Sequence, residues 1–237
     1  KNTLFTAFKR SSGKRKEIIL PQKTTPELAA LYGYLLGDGC IHKRGYAITC
    51  YVNEQEKDLV ELLQKLWGKL FRVTASVYRK EKKEEKRIQD KNGFLRSFTP
   101  HMPMYWLEVN SREINANLAF LSQKCVPQVI FESPLDVMSA FLRWLFEADG
   151  CCFGKGRGRT SVQLKSVHNQ LLRDVQLLLL HFGIQARIIE DNLCIRRSLD
   201  IKLFAKNIGF ASQKKRAKLK AVVQHVQGKS EQQKRKN

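Results

Sequence analysis

The sequence predicts an α+β fold of two pseudo-symmetric αββαββα halves, each with an antiparallel four-stranded sheet, packed through one apolar helix from each half. Three observations lead there. The run Leu31-Tyr32-Gly33-Tyr34-Leu35-Leu36-Gly37-Asp38-Gly39 returns about 110 residues later as Leu142-Arg143-Trp144-Leu145-Phe146-Glu147-Ala148-Asp149-Gly150. Each run is followed by the same succession of β-like and helical patterns. Both successions then close on nearly the same words, Phe120-Leu121-Ser122-Gln123-Lys124 and Phe210-Ala211-Ser212-Gln213-Lys214. Identity at matching positions of two parallel units is improbable by chance.

Taken in order, Thr25-Pro26 and Ser133-Pro134 precede the motif helices, where a hydroxyl caps orphan amides and proline fits the first turn. After Asp38-Gly39-Cys40 comes a β-like stretch over 46–52, and after Asp149-Gly150-Cys151 one over 159–165. Segments 58–68 and 173–183 carry apolar residues at helical spacing and end in Gly68 and Gly183, as helices with glycine stops do. A hairpin follows in each copy. In the first, 71–79 pairs with 104–109 across a charged insertion at 80–93; in the second, 186–190 pairs with 193–197 through Asp191-Asn192. Short helices over 112–118 and 200–207 complete the copies. The expected organisation is a basic amino-terminal arm (1–21), a first half (22–127), a second half (128–225) and a basic carboxy-terminal tail without helical periodicity (226–237).

Composition narrows the partner. Lys and Arg number 43 against 22 Asp and Glu, a net charge of +21 over 237 residues. That excess fits a nucleic acid, and 43% apolar residues support a sizeable core. No apolar run reaches the roughly 18 to 20 residues of a membrane span, and the polar, basic amino terminus lacks a secretory pattern. Cys40, Cys50, Cys125, Cys151, Cys152 and Cys194 show no CxxC spacing, which predicts reduced thiols in an intracellular protein. The five histidines are scattered, with neither metal-like nor triad spacing.

The repeated motif carries the chemistry. A carboxylate in the last turn of a helix sits at the negative end of the dipole, and a cation relieves the conflict. Helices packed along their apolar faces would approach closely at Gly33, Gly37 and Ala148 and bring Asp38 and Asp149 together. Two such carboxylates repel unless a hard cation such as Mg²⁺ lies between them. A site of that kind activates water and stabilises the leaving oxygen of a phosphodiester.

On these residues the chain resembles the LAGLIDADG homing endonucleases, in the single-chain, two-motif form found in inteins and introns, over roughly residues 26–219. The resemblance implies that the motif helices form the interface between halves and that the two sheets make a saddle along the DNA major groove. It implies site-specific double-strand cleavage leaving short 3′ overhangs. It further implies a metal site of Asp38 and Asp149 with Gly37 and Ala148 beside them, holding Mg²⁺, with Mn²⁺ or Ca²⁺ substituting for binding. It makes Lys124 and Lys214, at the end of the Ser-Gln-Lys repeats, the candidates for the family's helper lysines in catalysis. Two residues depart from the family pattern: Leu36 stands where it has an acid, and Trp144 where it often has glycine. Trp144 is expected to be accommodated by Gly33 across the interface.

Side chains that read a major groove are long, polar and alternate along strands. The candidates are Tyr46, Arg72, Thr74, Ser76, Tyr78, Arg159, Ser161, Gln163, Lys165, Arg187, Arg196 and Arg197, alternating with Ile48, Val73, Val77, Val162 and Leu164. Phosphate contacts fall to Lys43 and Arg44, to the loop at 80–87, to Lys155, Arg157 and Arg159, and to 214–220. The charge excess predicts steep salt dependence.

The expected function is therefore a divalent-metal-dependent DNA endonuclease, acting as a pseudo-twofold monomer on double-stranded DNA. The alternative is an RNA maturase binding intron RNA, or a non-cleaving DNA-binding protein of the same fold. Retention of both aspartates favours cleavage. An intact self-splicing intein is disfavoured, because the sequence begins at Lys1 rather than Cys or Ser and Asn237 follows lysine rather than histidine.

Overall fold

The computed structural model describes residues 18–43, 46–81, 86–89, 95–98, 103–154 and 160–234, without side chains at 86–89, 95–98 and 229–234. Helix α1 (Pro26–Asp38) starts under Thr25, whose hydroxyl accepts the Leu28 amide at 3.3 Å, with Pro26 in the first turn. Strands β1 (Gly39–Ile41) and β2 (Ala47–Asn53), helix α2 (Asp58–Phe71) and strand β3 (Ser76–Lys80) follow. The charged insertion forms its own hairpin of β4 (Lys86–Gln89) and β5 (Leu95–Phe98). Strand β6 (Met104–Asn110) and helix α3 (Arg112–Leu118) complete the first half. A short α4 (Gln128–Phe131) leads into α5 (Leu135–Asp149), β7 (Gly150–Phe153), β8 (Ser161–Lys165), α6 (Asn169–Leu180), β9 (Arg187–Ile189), β10 (Asn192–Ile195) and α7 (Ser198–Asn207). The last element is α8 (Gln213–Lys234).

The two four-stranded sheets have the same order, β1-β2-β6-β3 and β7-β8-β10-β9, and every pairing is antiparallel. Their registers also match. Gly39, Cys50, Leu107 and Val77 form one row across the first sheet, and Gly150, Leu164, Leu193 and Ile188 the corresponding row of the second. Alternation sends Ile48, Cys50, Val52, Leu107 and Val109 into the core, as it does Cys152, Val162, Leu164, Leu193 and Ile195, so each sheet keeps an outer face of the opposite parity. The core is continuous across both halves and includes most of α1 and α5.

Several boundaries differ from expectation for identifiable reasons. Ser133 does not cap α5; its hydroxyl donates to the Val129 carbonyl at 2.6 Å, and Pro134 occupies the cap. Gly68 lies inside α2, which turns out at Arg72 in the left-handed region (φ 54), while Gly183 does adopt positive φ (+69) just beyond α6. The hairpin strand expected from Phe71 thus begins only at Ser76. Residues expected to form a tail continue α8 as far as Lys234, and Leu219, Val222 and Val226 on that helix are buried. All six cysteines are free thiols. Among the described residues no helix is long and apolar enough to cross a membrane.

Candidate active site and nucleic-acid face

Glycine decides how closely α1 and α5 pack. A Cβ on Gly33 would lie 2.3 Å from the Phe141 carbonyl oxygen and 2.9 Å from the Leu145 nitrogen, and one on Gly37 would lie 2.5 Å from the Ala148 Cβ. Backbone therefore rides on backbone, and small residues line the crossing. The expected partner of Gly33 is corrected here: it faces the α5 main chain between Phe141 and Leu145, whereas Trp144 packs edge-on against Tyr34 at 5.7 Å between ring centroids. The indole is too bulky for a crossing this tight and turns to the flank.

Asp38 and Asp149 are the last residues of the two helices. Gly37 abuts the Asp149 carboxylate, whose Oδ2 lies 3.0 Å from where a Gly37 Cβ would be. Both side chains are half-buried. Burial, reinforced by the neighbouring Asp149 charge, lifts the Asp38 carboxyl to about 6, with Lys215 and Lys124 pulling the other way. Burial likewise raises Asp149, opposed by Lys124 and Lys215. Among the described residues neither carboxylate makes a hydrogen bond or a direct ion pair. Two hard oxygen donors, half-buried at the abutting negative ends of two helices, suit a divalent cation. The carbonyls of Gly37 and Ala148 lie in the same last turns, where a helix leaves carbonyls without intrahelical partners.

A lysine stands at each helix end. Lys124, in the left-handed region (φ 52), donates from Nζ to the Leu36 carbonyl at 2.5 Å. Its counterpart is Lys215, which donates to the Glu147 carbonyl, the position equivalent to Leu36. Lys214, the expected counterpart, points away instead to Gln55 Oε1 at 2.7 Å and Glu56 at 3.7 Å. The Ser-Gln-Lys words align, but their backbones do not. Ser122 and Gln123 lie in a 3-10 turn (Ala119–Gln123) that ends at Lys124. Ser212 instead caps α8, accepting the Lys215 amide at 3.2 Å, and the helical path turns Lys215 toward the site.

Three further carboxylates hold these lysine segments. Glu147, fully buried, accepts the amides of Ala211 at 2.6 Å and Ser212 at 2.9 Å through Oε2, and its Oε1 is 3.9 Å from Lys215 Nζ. Asp58 of the first half accepts the Gln213 amide at 2.8 Å, and Asp174 of the second half accepts the Val126 amide at 3.0 Å. Each lysine-bearing segment is thus tied by the opposite half. The apolar spacing of Leu219, Val222 and Val226 behind a capping serine was the signal for α8, and hence for Lys215. The cross-half ties have no local signal.

The strand candidates divide. On the outer faces, Ser76, Tyr78, Lys165 and Arg187 are exposed and Gln163 is partly so. Arg196 projects beyond β10, and Tyr46 and Lys43 are exposed at the turn between β1 and β2. Arg72 and Thr74 are exposed but precede β3, in the turn that leaves α2. Ser161 is fully buried opposite Phe153, with its hydroxyl accepting from Gln163 Nε2 at 2.9 Å, so it offers no groove contact. Arg197 is engaged within the fold, 3.0 Å from Asp200 and 2.6 Å from Gln185. Arg44, Lys155, Arg157 and Arg159 lie outside the described residues, as do residues 1–17 of the arm.

Two like halves, joined by abutting helices that each end in an aspartate, define a class of protein. The LAGLIDADG-like domain family matches residues 136–209. Among solved structures, the homing endonuclease I-WcaI bound to its DNA recognition sequence superposes with a TM-score of 0.57 at 14% identity, covering 82% of this chain and 85% of that one. I-DmoI in complex with DNA and Mn gives 0.53 at 18% identity, covering 78% and 97%. Full-length WhiA from Thermatoga maritima gives 0.53 at 18%, covering 84% and 60%. Residues 136–209 thus match a LAGLIDADG-like domain, and the fold of the chain is that of the two-half LAGLIDADG homing endonucleases.

Curated relatives include the glutamine–fructose-6-phosphate aminotransferase of Methanocaldococcus jannaschii, 23% identical over 219 residues and 88% of this chain. The replicative DNA helicase DnaB of a Synechocystis species is 27% identical over 237 residues and 90% of the chain. The chain spans only 18% and 26% of those two proteins.

Proposed function

We propose that the chain is a site-specific DNA endonuclease that hydrolyses one phosphodiester in each strand of a long duplex target and leaves short 3′ overhangs. The observation that carries this reading is the pairing of Asp38 and Asp149 at abutting helix ends, each half-buried and each accompanied by a lysine at the adjoining helix carbonyl. A divalent ion such as Mg²⁺ would be held by the carboxylate oxygens of Asp38 and Asp149, and would supply the charge that makes water a nucleophile at neutral pH and steadies the leaving oxygen. Lys124 and Lys215 hold ammonium groups over the same site, where they offset charge gathering on the scissile phosphate. The outer faces of the two sheets meet the major groove, Tyr46, Ser76, Gln163, Lys165, Arg187 and Arg196 among them. The net charge of +21 draws the polyanion in.

The relatives bear on origin. One segment occupying a minority of an aminotransferase and of a helicase behaves as an inserted element carried by unrelated hosts, which supports an intein- or intron-borne endonuclease working as a monomer inside the cell. WhiA shares the fold, so the fold alone does not decide for cleavage over a maturase or a regulator; retention of both aspartates favours cleavage. Incubation with a randomised duplex library and Mg²⁺, beside Asp38→Asn and Asp149→Asn, tests the reading. Recurrent cutting at one sequence, lost in both variants, is expected. Cutting that survives both substitutions overturns the site, and binding without cutting by the unmodified chain supports the regulator or maturase instead.

A further inference from the structure

The outer face of the first sheet carries a feature the second lacks. In the row next to the Gly39–Cys50 pair, directly beyond Asp38, Tyr51 on β2 faces Trp106 on β6, which faces Tyr78 on the edge strand β3. The corresponding row of the second sheet is Lys165, Asn192 and Ile189. Tyr78 and Trp106 stack with centroids 5.3 Å apart and planes at 23°. Tyr51 is 37% exposed and Tyr78 44%. No strand of this sheet lies beyond β3 among the described residues, so the stack ends in an open ring face at Tyr78. Lys80 shares the parity of Tyr78 two residues along β3, within reach of a phosphate attached to anything stacked there.

An intact duplex offers its major groove base edges, which polar side chains read; base faces are hidden in the stack. Ring faces find partners among unpaired bases. We infer that the Tyr51–Trp106–Tyr78 row is a stacking platform for unpaired bases, giving the first half a single-stranded nucleic-acid site beside the acidic centre. It rests on the reading that the outer sheet face meets nucleic acid, and deepens it. The second half, with no aromatic in its row, holds a paired strand at the equivalent place.

The test compares a single-stranded oligothymidylate of about eight nucleotides with an abasic backbone of equal length and charge, without divalent metal, followed by tryptophan fluorescence. Trp67 and Trp144 are buried, so quenching reports on Trp106. The base-bearing strand should bind roughly tenfold or more tighter than the abasic one, as one base–aromatic stack provides, and quench the emission. Tyr78→Leu should erase that preference while melting like the parent, and Tyr78→Phe should keep it. Equal binding of the two strands, or a preference indifferent to Tyr78→Leu, overturns the platform. A preference lost when deoxyuridine replaces thymidine also overturns it, because only a methyl contact would then be at work. A chain that stacks but never cuts duplex loses the endonuclease reading alone; one that cuts without base preference loses only the platform.

Discussion

The carboxylate of Glu147 accepts the backbone amide of Ser212 at 2.9 Å, so the second motif helix grips the start of α8 from inside the core. Leu36, at the same place in the first motif, can grip nothing. Glu147→Gln keeps an acceptor but removes the negative charge from a helix N-terminus and should cost roughly 1 to 3 kcal/mol, read as a lower melting temperature. Because Lys215 rides on that helix, supercoiled plasmid bearing the target should accumulate as nicked circles. Unchanged melting and an unchanged nicked-to-linear ratio would remove Glu147 from this role.

Lys215→Met and Lys214→Met separate the two adjacent lysines. The first should slow cleavage by roughly tenfold to a hundredfold, the range for one charged transition-state contact, with duplex binding near that of the parent. The second should leave the rate within about twofold, since Lys214 is turned toward Gln55 and Glu56. The reverse ranking in a single-turnover assay would restore Lys214.

Gly33→Ala probes the helix crossing. Its methyl would press on the Phe141 carbonyl oxygen and the Leu145 nitrogen, both main-chain atoms, so the helices must separate. A loss of roughly 1 to 3 kcal/mol, typical of overpacking, should appear in denaturant melts. Retained stability would mean the interface is looser than described.

Asp38 makes the metal-free protein pH-sensitive. Its carboxyl is lifted from 3.8 to about 6, so across that window the folded chain holds a proton that the unfolded chain releases, and stability from this group falls as pH rises. Asp38→Asn should melt higher than the parent above pH 6, with the advantage shrinking toward pH 4. Adding Mg²⁺ at pH 7 should raise the melting temperature of the parent and leave the variant nearly unmoved. An advantage that does not vary with pH would contradict the burial of this carboxyl beside Asp149.

Much of this was legible in the residues themselves. The repeat placed Asp38 and Asp149 because helix ends and small residues are local signals, and the strand alternation gave the correct parity for Tyr78, Gln163 and Lys165. What escaped depended on backbone path or on distance. Aligned letters suggested Lys214, but a 3-10 turn in one copy and a helix in the other rotate the side chain that arrives. Arg72 read as a strand residue because Phe71 and Val73 continue an alternating pattern, which a helix overrunning Gly68 displaced. Ser161 had suitable chemistry and parity, and lost its exposure to neighbours that sequence spacing does not reveal.

The ties from Asp58 to Gln213 and from Asp174 to Val126 also limit how the molecule can be shuffled. A half transplanted onto a foreign partner would bring its lysine but leave behind the carboxylate that aims it. Chimeras built by swapping whole halves therefore inherit a misaligned lysine unless the donor and acceptor aspartates travel as a matched pair, and duplication of either half into a homodimer would meet the same obstacle.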